Sequence, residues 1–377
     1  MPEAFIDPHP LLLALFILFA SCFFLQMAFQ WGVFFRLKKS KDAVLPEEEP
    51  GVSVVICSHN EYLNLQEKLP LILAQDYPEY EVIVVNHASD DDTGFLLTGM
   101  ADHYPHLKIV DIQADRNFFT GKKFPLSIGI KSAKYDKVLL TDADCRPAGT
   151  QWIRAMSSAF RDRKEIVLGY GAYEKLPGFL NMMIRFDVAT IAMQYLSYAL
   201  SGIPYMGVGR NLAYRKSLFY RSNGFISHYR IKSGDDDLFI NRVARKRNTT
   251  VMLNPDAFTF SNPKRSLGKW ITQKKRHFST ATYYRPVHKF LLVLWSLSQV
   301  LFWASLAALL ALQFAWIFVL GIFGLMLISR YVVFGRWLCR LNEKDLVGLV
   351  PVLELLMLLL NGGILLSNLI KKPARWK

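Results

Sequence analysis

Hydrophobic positions along this chain fall into two regimes. Leu11 to Phe35 and Phe290 to Ser329 carry no charge at all, and Val347 to Ile370 carries one, Glu354. A helix needs about 20 apolar residues to cross a bilayer. The first and third stretches are long enough for one crossing each, and the second for a tight hairpin turning near Leu312 to Trp316. Between them the apolar runs are short and of β type. They begin at Val52 (VSVVIC), Glu81 (EVIVVN), Leu107 (LKIVDI) and Lys137 (KVLLTD), 26 to 30 residues apart, with helix-like stretches such as Leu63 to Ala74 and Leu126 to Ser132 between them. Strands alternating with helices at this interval predict βαβ units, and so an α/β domain with a mainly parallel sheet.

Charge orients the apolar stretches. The first ten residues include Glu3 and Asp7 but no lysine or arginine, whereas Arg36, Lys38, Lys39 and Lys41 follow the first stretch. The positive-inside rule then places residue 1 outside and the middle region in the cytoplasm, as a multi-pass protein of the cell membrane. Arg330, Arg336, Arg340 and Lys344 fall on the cytoplasmic side of the hairpin. A full crossing by the last stretch would put Lys371, Lys372, Arg375 and Lys377 outside, against the rule. A re-entrant or interfacial course, broken at Asn361-Gly362-Gly363, therefore stands beside a full crossing, and the count is three or four.

Composition narrows the class further. The chain has 377 residues, a net charge of +14, 52% hydrophobic and 14% aromatic residues. These values exclude a disordered chain, a collagen-like repeat and a small disulfide scaffold. Cys22, Cys57, Cys145 and Cys339 form no CxxC pair and read as free thiols in a reducing compartment. The eight histidines show no HExxH spacing. Without GxGxxG or GxxxxGK[ST], a dinucleotide fold or a P-loop NTPase has no support.

Ligands of open α/β sheets gather at the carboxyl ends of the strands. Here those ends carry Ser58-His59-Asn60-Glu61, Asn86-His87-Ala88-Ser89 and Asp142-Ala143-Asp144. The last pair suits a hard divalent cation that also meets substrate phosphates, or a cap for a helix starting near Thr150. Asp235, Asp236 and Asp237 open a helix-like stretch (LFINRVARK). The helix dipole favours acids there, while mutual repulsion raises a carboxylate pKa towards that of a general base. Gln273-Lys274-Lys275-Arg276-His277 lies in a region without acids from Ala257 to Asn342. It reads either as a clamp for a diphosphate leaving group or as a helix drawn to anionic lipid. Lys122 and Lys123 are read as phosphate contacts or as solvated loop lysines.

Taken together, VSVVICSHNE (52–61), VVNHASDDDT (84–93), GKKFPLSIGIKSAKYDKVLLTDADCRP (121–147), SGDDDL (233–238) and QKKRH (273–277) resemble membrane-bound family 2 glycosyltransferases of GT-A fold, including ceramide glucosyltransferase-like and polysaccharide-synthase-like branches. The resemblance covers about residues 50–280. It implies an N-terminal transmembrane helix over 10–36, a GT-A domain over 50–262, a basic interfacial segment over 263–289 and a C-terminal membrane region over 290–370. It also implies that Glu61, Asn86, His87, Asp92, Lys122, Asp142, Gln273 and Arg276 hold a nucleotide-diphosphate sugar, and that Asp144, with Asp142, binds Mn²⁺ or Mg²⁺. Asp235 becomes the catalytic base, with Asp236 its alternative, and Arg210, Asn211 and His277 face the acceptor. Three departures stand out: Asn86-His87 replaces an acidic pair, Gly234 a glutamate, and His277 the tryptophan of QxxRW.

The expected activity is an inverting transfer of one sugar from a UDP- or GDP-linked donor to a lipid or lipid-linked acceptor at the membrane. No nucleic acid is expected as partner. A processive polysaccharide synthase and a non-catalytic nucleotide-binding scaffold are the alternatives.

Overall fold

Runs rich in β-branched residues and leucine form adjacent strands because both faces of the central sheet are covered, which favours continuous apolar sequence over alternation. The computed structural model describes residues 9–37, 49–113, 121–161, 163–231 and 233–370. It divides into two compact units, one of Lys38–Tyr284 and one of Met1–Leu37 with Arg285–Ile370. In chain order the elements are α1 (Pro10–Phe29), β1 (Val52–Ser58), α2 (Tyr62–Leu73), β2 (Tyr80–His87), α3 (Thr93–Ala101), β3 (Leu107–Ile112), α4 (Lys123–Ser132), β4 (Lys137–Asp142) and β5 (Cys145–Pro147). They continue with α5 (Trp152–Ser157), β6 (Ile166–Leu168), β7 (Gly171–Tyr173), α6 (Phe179–Leu200), β8 (Leu212–Arg215), α7 (Lys216–Arg221), α8 (Asp237–Val243), β9 (Thr249–Val251) and β10 (Thr259–Ser261). The last are α9 (Leu267–Phe278), α10 (Pro286–Ala311), α11 (Trp316–Arg340) and α12 (Val350–Ile370).

In the first unit a seven-stranded sheet runs β3-β2-β1-β4-β8-β6-β9. The four strands expected from the sequence are mutually parallel. β8 enters antiparallel to both β4 and β6, so the sheet is mainly, not wholly, parallel. A small second sheet, β5-β10-β7, begins directly after Asp144. Val54, Ile56, Leu69, Val84, Leu139 and Trp152 belong to the core beneath the main sheet. On the sheet, α4 packs closely through Gly129, where a Cβ would come within 2.6 Å of Val55 Cγ1. That fit brings the start of α4, and with it Lys122, to the carboxyl ends of β1 and β4.

α9 belongs to this same unit. Its Trp270 and Lys274 are buried, and Lys274 Nζ donates to Asp187 Oδ1 of α6 at 2.5 Å. Lys274 is thus neither a phosphate clamp nor a lipid-facing charge.

In the second unit four helices are long and apolar enough to span a bilayer: Pro10–Phe34, Pro286–Ala311, Trp316–Arg340 and Lys344–Asn368. The hairpin between α10 and α11 turns where expected, with Gln313 and Ala315 at positive φ. Two expectations change. α12 is continuous through Asn361-Gly362-Gly363; the long leucine-rich flanks outweigh the roughly 1 kcal/mol that each glycine costs in a helix. Arg330 is not a surface charge marking one side of the membrane. It is wholly buried, with Nη1 2.6 Å from Glu354 Oε2 and Nη2 2.9 Å from Gln26 Oε1. Gln299 Nε2 donates to the other Glu354 oxygen at 2.7 Å. Compensated in this way, Arg330 does not end the helix at Ser329. Of the charges that set the expected topology, Glu3, Asp7, Lys38, Lys39, Lys41, Lys371, Lys372, Arg375 and Lys377 lie outside the described residues.

Removing one partner of a buried ion pair strands the other, at about 3–5 kcal/mol. Lys274→Met is therefore expected to lower the thermal unfolding midpoint of the sheet unit sharply. Asp187→Leu/Lys274→Met should recover much of the loss.

Candidate active site

The carboxyl ends of β1, β2 and β4 carry the polar residues picked out in the sequence, and hydrogen bonds tie their loops together. After β1, Asn60 adopts a left-handed φ of 57°. Its amide donates to Ser89 Oγ at 3.0 Å, and its Oδ1 accepts from the Asp90 amide at 2.8 Å. Asp91 accepts from the amides of Tyr62 and Thr93. Asn86 is held between Asp111 and Ser89, at 2.9 and 2.6 Å. His87 keeps a lowered pKa through burial and the nearby His59. Asp92 stands exposed at the start of α3 and makes no capping bond. The loop is therefore organised by Asn60 and Ser89, which the sequence reading placed at the strand ends without a role, and by Asp91. Glu61 accepts from Asn64 at 2.5 Å, and burial, with added repulsion from Asp144 and Asp142, raises its pKa.

Asp142 ends β4 and forms an ion pair with Lys122. Burial opposes its ionisation, but the ammonium holds the carboxyl below its usual range. Asp144, one turn on, is raised by burial and by the charge of Asp142. Ligand atoms of Asp142, Asp144 and Cys145 lie within 4.8 Å of one another. The Cys145 thiol is buried, 3.1 Å from Ser261 Oγ, and burial pushes its pKa up, so it offers no thiolate. The two carboxylates, close together with part of their charge uncompensated, fit Mg²⁺ or Mn²⁺.

The three consecutive aspartates separate completely. Asp236 accepts from the Gly209 amide and from the Asp237 amide, each at 2.7 Å, and so caps α8. This makes Asp236 a brace for the Gly209 loop, and burial with the adjacent Asp237 pushes its pKa up to about 6. Asp237 accepts from Thr280 Oγ1, from Tyr284 Oη at 2.7 Å and from the Leu238 amide at 2.7 Å. Among the described residues only Asp235 of the three comes within ion-pair distance of Lys122, with Nζ 4.0 Å from its Oδ2. Burial and the adjacent Asp236 push its pKa up to about 6, against the pull of Lys122. Lys123 anchors the approach to this triplet by donating to the carbonyls of His228, Ile231 and Ser233 at 2.6–2.8 Å. Of the two adjacent lysines, one faces the site and the other fixes a loop.

The remaining expectations divide. Arg210 stacks 4.5 Å from the Tyr173 ring centroid, and its charge helps hold down the pKa values of Asp142 and Asp144. Arg276 acts on Asp142 in the same sense. Gln273 Nε2 donates to Tyr173 Oη at 3.2 Å, while its Oε1 is buried without a hydrogen-bond partner among the described residues. His277 is exposed at the end of α9. Asn211 cannot face an acceptor. It is wholly buried, donates to the Tyr170 and Ala257 carbonyls and accepts from Trp152 Nε1.

The sequence matches the description Glycosyl transferase family 21 over residues 12–377. The chain belongs to this family. This glycosyltransferase is 33% identical over 98 residues to the poly-β-1,6-N-acetyl-D-glucosamine synthase of Staphylococcus epidermidis, covering 26% of this chain and 23% of that protein. It is 26% identical over 213 residues to the probable glycosyltransferase YdaM of Bacillus subtilis, covering 54% of this chain and 49% of that one. The chain thus spans about a quarter to a half of these curated relatives. Among solved structures, the mannosyltransferase PcManGT of Pyrobaculum calidifontis, in complex with GDP-Man and Mn²⁺, superposes with a TM-score of 0.59 at 22% identity, over 91% of this chain and 98% of that one. At that identity the likeness concerns the fold, which is GT-A as the resemblance implied.

Gly234 explains one departure from the family pattern. Its φ is +95°, and a Cβ there would meet Leu238 Cδ1 at 2.5 Å. The backbone is left-handed here, immediately before Asp235. A left-handed side-chain residue costs roughly 1–2 kcal/mol. Gly234→Glu, which restores the commoner residue, is therefore expected to lower transferase activity about tenfold or more in a folded protein. A rise in activity would refute this reading.

Proposed function

We propose that this glycosyltransferase moves a single sugar, with inversion, from a UDP- or GDP-linked donor to a lipid or lipid-linked acceptor at the membrane, using Mg²⁺ or Mn²⁺. The observation that carries the reading is the convergence of Asp142, Asp144, Lys122 and Asp235 at the carboxyl end of β4, the ligand-binding edge of such sheets. Asp144 and Asp142 would hold the cation, which when bound offsets charge on a diphosphate leaving group. Glu61 and the Asn86–Ser89 loop would line the nucleotide's side of the crevice. Asp235 would take the proton from the acceptor hydroxyl as its oxygen bonds to the anomeric carbon and the bond from that carbon to the nucleotide's phosphate oxygen breaks. Lys122, Arg210 and Arg276 supply fixed positive charge near the departing diphosphate. Arg210 and His277 would meet the acceptor. The four apolar helices and the acid-free stretch 263–289 support a membrane-presented acceptor, with the catalytic unit in the cytoplasm of a cell-membrane protein.

The matches to poly-β-1,6-N-acetyl-D-glucosamine synthases favour a second reading, processive synthesis. Product length separates the two: one added residue per acceptor under donor excess supports single transfer, and a ladder of products supports polymerisation.

The test is nucleotide diphosphate release from UDP- and GDP-sugars by the full chain in membranes supplied with lipid extract. A positioned general base is worth about 10²–10⁴-fold, so Asp235→Asn should cut kcat within that range while donor binding persists. The base works ionised, so kcat/KM should rise with pH through about 6, the raised pKa of Asp235, and flatten above. Unchanged turnover in Asp235→Asn would remove the base assignment. Asp144→Asn should raise the Mn²⁺ concentration needed for half-maximal rate at least tenfold, and an unaltered metal response would remove that ligand.

A further inference from the structure

A second cluster of charge lies at the opposite end of the main sheet and has no part in the chemistry above. A cleft of about 550 Å³ is lined by Arg163, Glu165, Arg215, Arg245, Arg247 and Asn248. It sits where β6 and β9 begin and β8 ends. Arg215 pairs in register with Lys137, the first residue of β4, whereas Asp142 is the last. At about 3.3 Å per residue the cleft is roughly 17 Å along the strand from the candidate active site.

Among the described residues the charge in this cleft is not balanced by its own walls. Glu165, its one acid, is engaged by Arg221 and by Asn248 Nδ2 at 3.3 Å, and Arg215 pairs with Asp136 at 3.0 Å. Among the described residues, Arg163, Arg245 and Arg247 form no ion pair. Their loop is also tightly held. Lys164 Nζ donates to the carbonyls of Lys246, Arg247 and Thr249 at 3.0–3.1 Å. The Asn248 carbonyl accepts from the amides of Glu165 and Ile166 at 2.8 and 3.0 Å, and Asn248 Oδ1 accepts from the Arg245 amide at 2.8 Å. Arg245 Nη1 donates to the carbonyls of Arg242 and Ala244 at 2.9 and 2.8 Å, which fixes where its guanidinium stands. A half-buried lysine and an asparagine thus hold a turn whose arginines repel one another across a concavity. Guanidinium forks match phosphate oxygens two at a time, a concave wall concentrates the field, and the volume suits a small ligand.

We propose that this cleft is a second anion site, separate from the donor site, which binds a phosphate-bearing ligand, either a soluble phosphate compound or a phospholipid headgroup. The test is calorimetric titration of inorganic pyrophosphate into the full chain in phosphatidylcholine nanodiscs with chelator present. Saturable binding is expected, weakened at least tenfold by Arg245→Gln/Arg247→Gln and several-fold by the charge-retaining Arg245→Lys/Arg247→Lys. It should change less than twofold in Arg276→Ala, which alters the other end of the sheet. Repeating the titration in nanodiscs doped with phosphatidylglycerol distinguishes the source: loss of pyrophosphate binding identifies a headgroup occupant, and retention a soluble one. The proposal is overturned if Arg245→Gln/Arg247→Gln leaves binding unchanged. It is equally overturned if Lys108→Gln/Lys131→Gln, which removes the same charge from another surface, weakens binding as much.

Discussion

Five aspartates share the carboxyl end of one sheet, and carboxylates so close cannot all remain ionised in a half-buried site without compensation. The rest of the site follows from how each is compensated. Lys122 neutralises Asp142. Asp236 and Asp237 give up their freedom to hydrogen bonds with Gly209, Thr280 and Tyr284. Burial raises the pKa values of Asp144, Asp235, Asp236 and Asp237 alike. Asp144 and Asp235 differ from the other two in accepting no bond from the Gly209 amide, Thr280 or Tyr284 among the described residues.

Compensation demands rigid supports, and these come from residues remote in sequence. Lys123 fixes the 228–233 loop from the start of α4. Asn211 joins β8 to β7 and α5 through three hydrogen bonds. The Lys274–Asp187 pair ties α9 to α6 and so brings Gln273 beside Tyr173. Each of these side chains is polar, lies near a motif and is buried, so its charge or amide serves the scaffold that aims its neighbours.

The membrane unit applies the same principle. Arg330 and Glu354 meet inside a bundle of apolar helices with Gln26 and Gln299 as further partners. A lone charge there would be expensive, whereas a paired and hydrogen-bonded one is tolerated. This is why α11 runs past the end of its charge-free window, and why counting charges in the sequence took Arg330 for a surface charge.

Much of the protein was legible in order along the chain. The spacing of apolar runs located β1 to β4 to within a residue, the long apolar stretches located the membrane helices, and the polar strand ends located the candidate site. These are local properties: burial on both faces of a strand, or length against a bilayer, leaves its mark on consecutive residues. Composition could not show that Asp235, of three neighbours, is the one that meets Lys122, that Asn211 and Lys274 are buried, or that a Cβ at Gly234 would clash. Those outcomes depend on partners such as Gly209, Tyr284, Trp152 and Asp187, up to 87 residues away. A side chain's role in a folded protein is set by which distant group meets it and how much water the meeting excludes, and only the tertiary structure decides that.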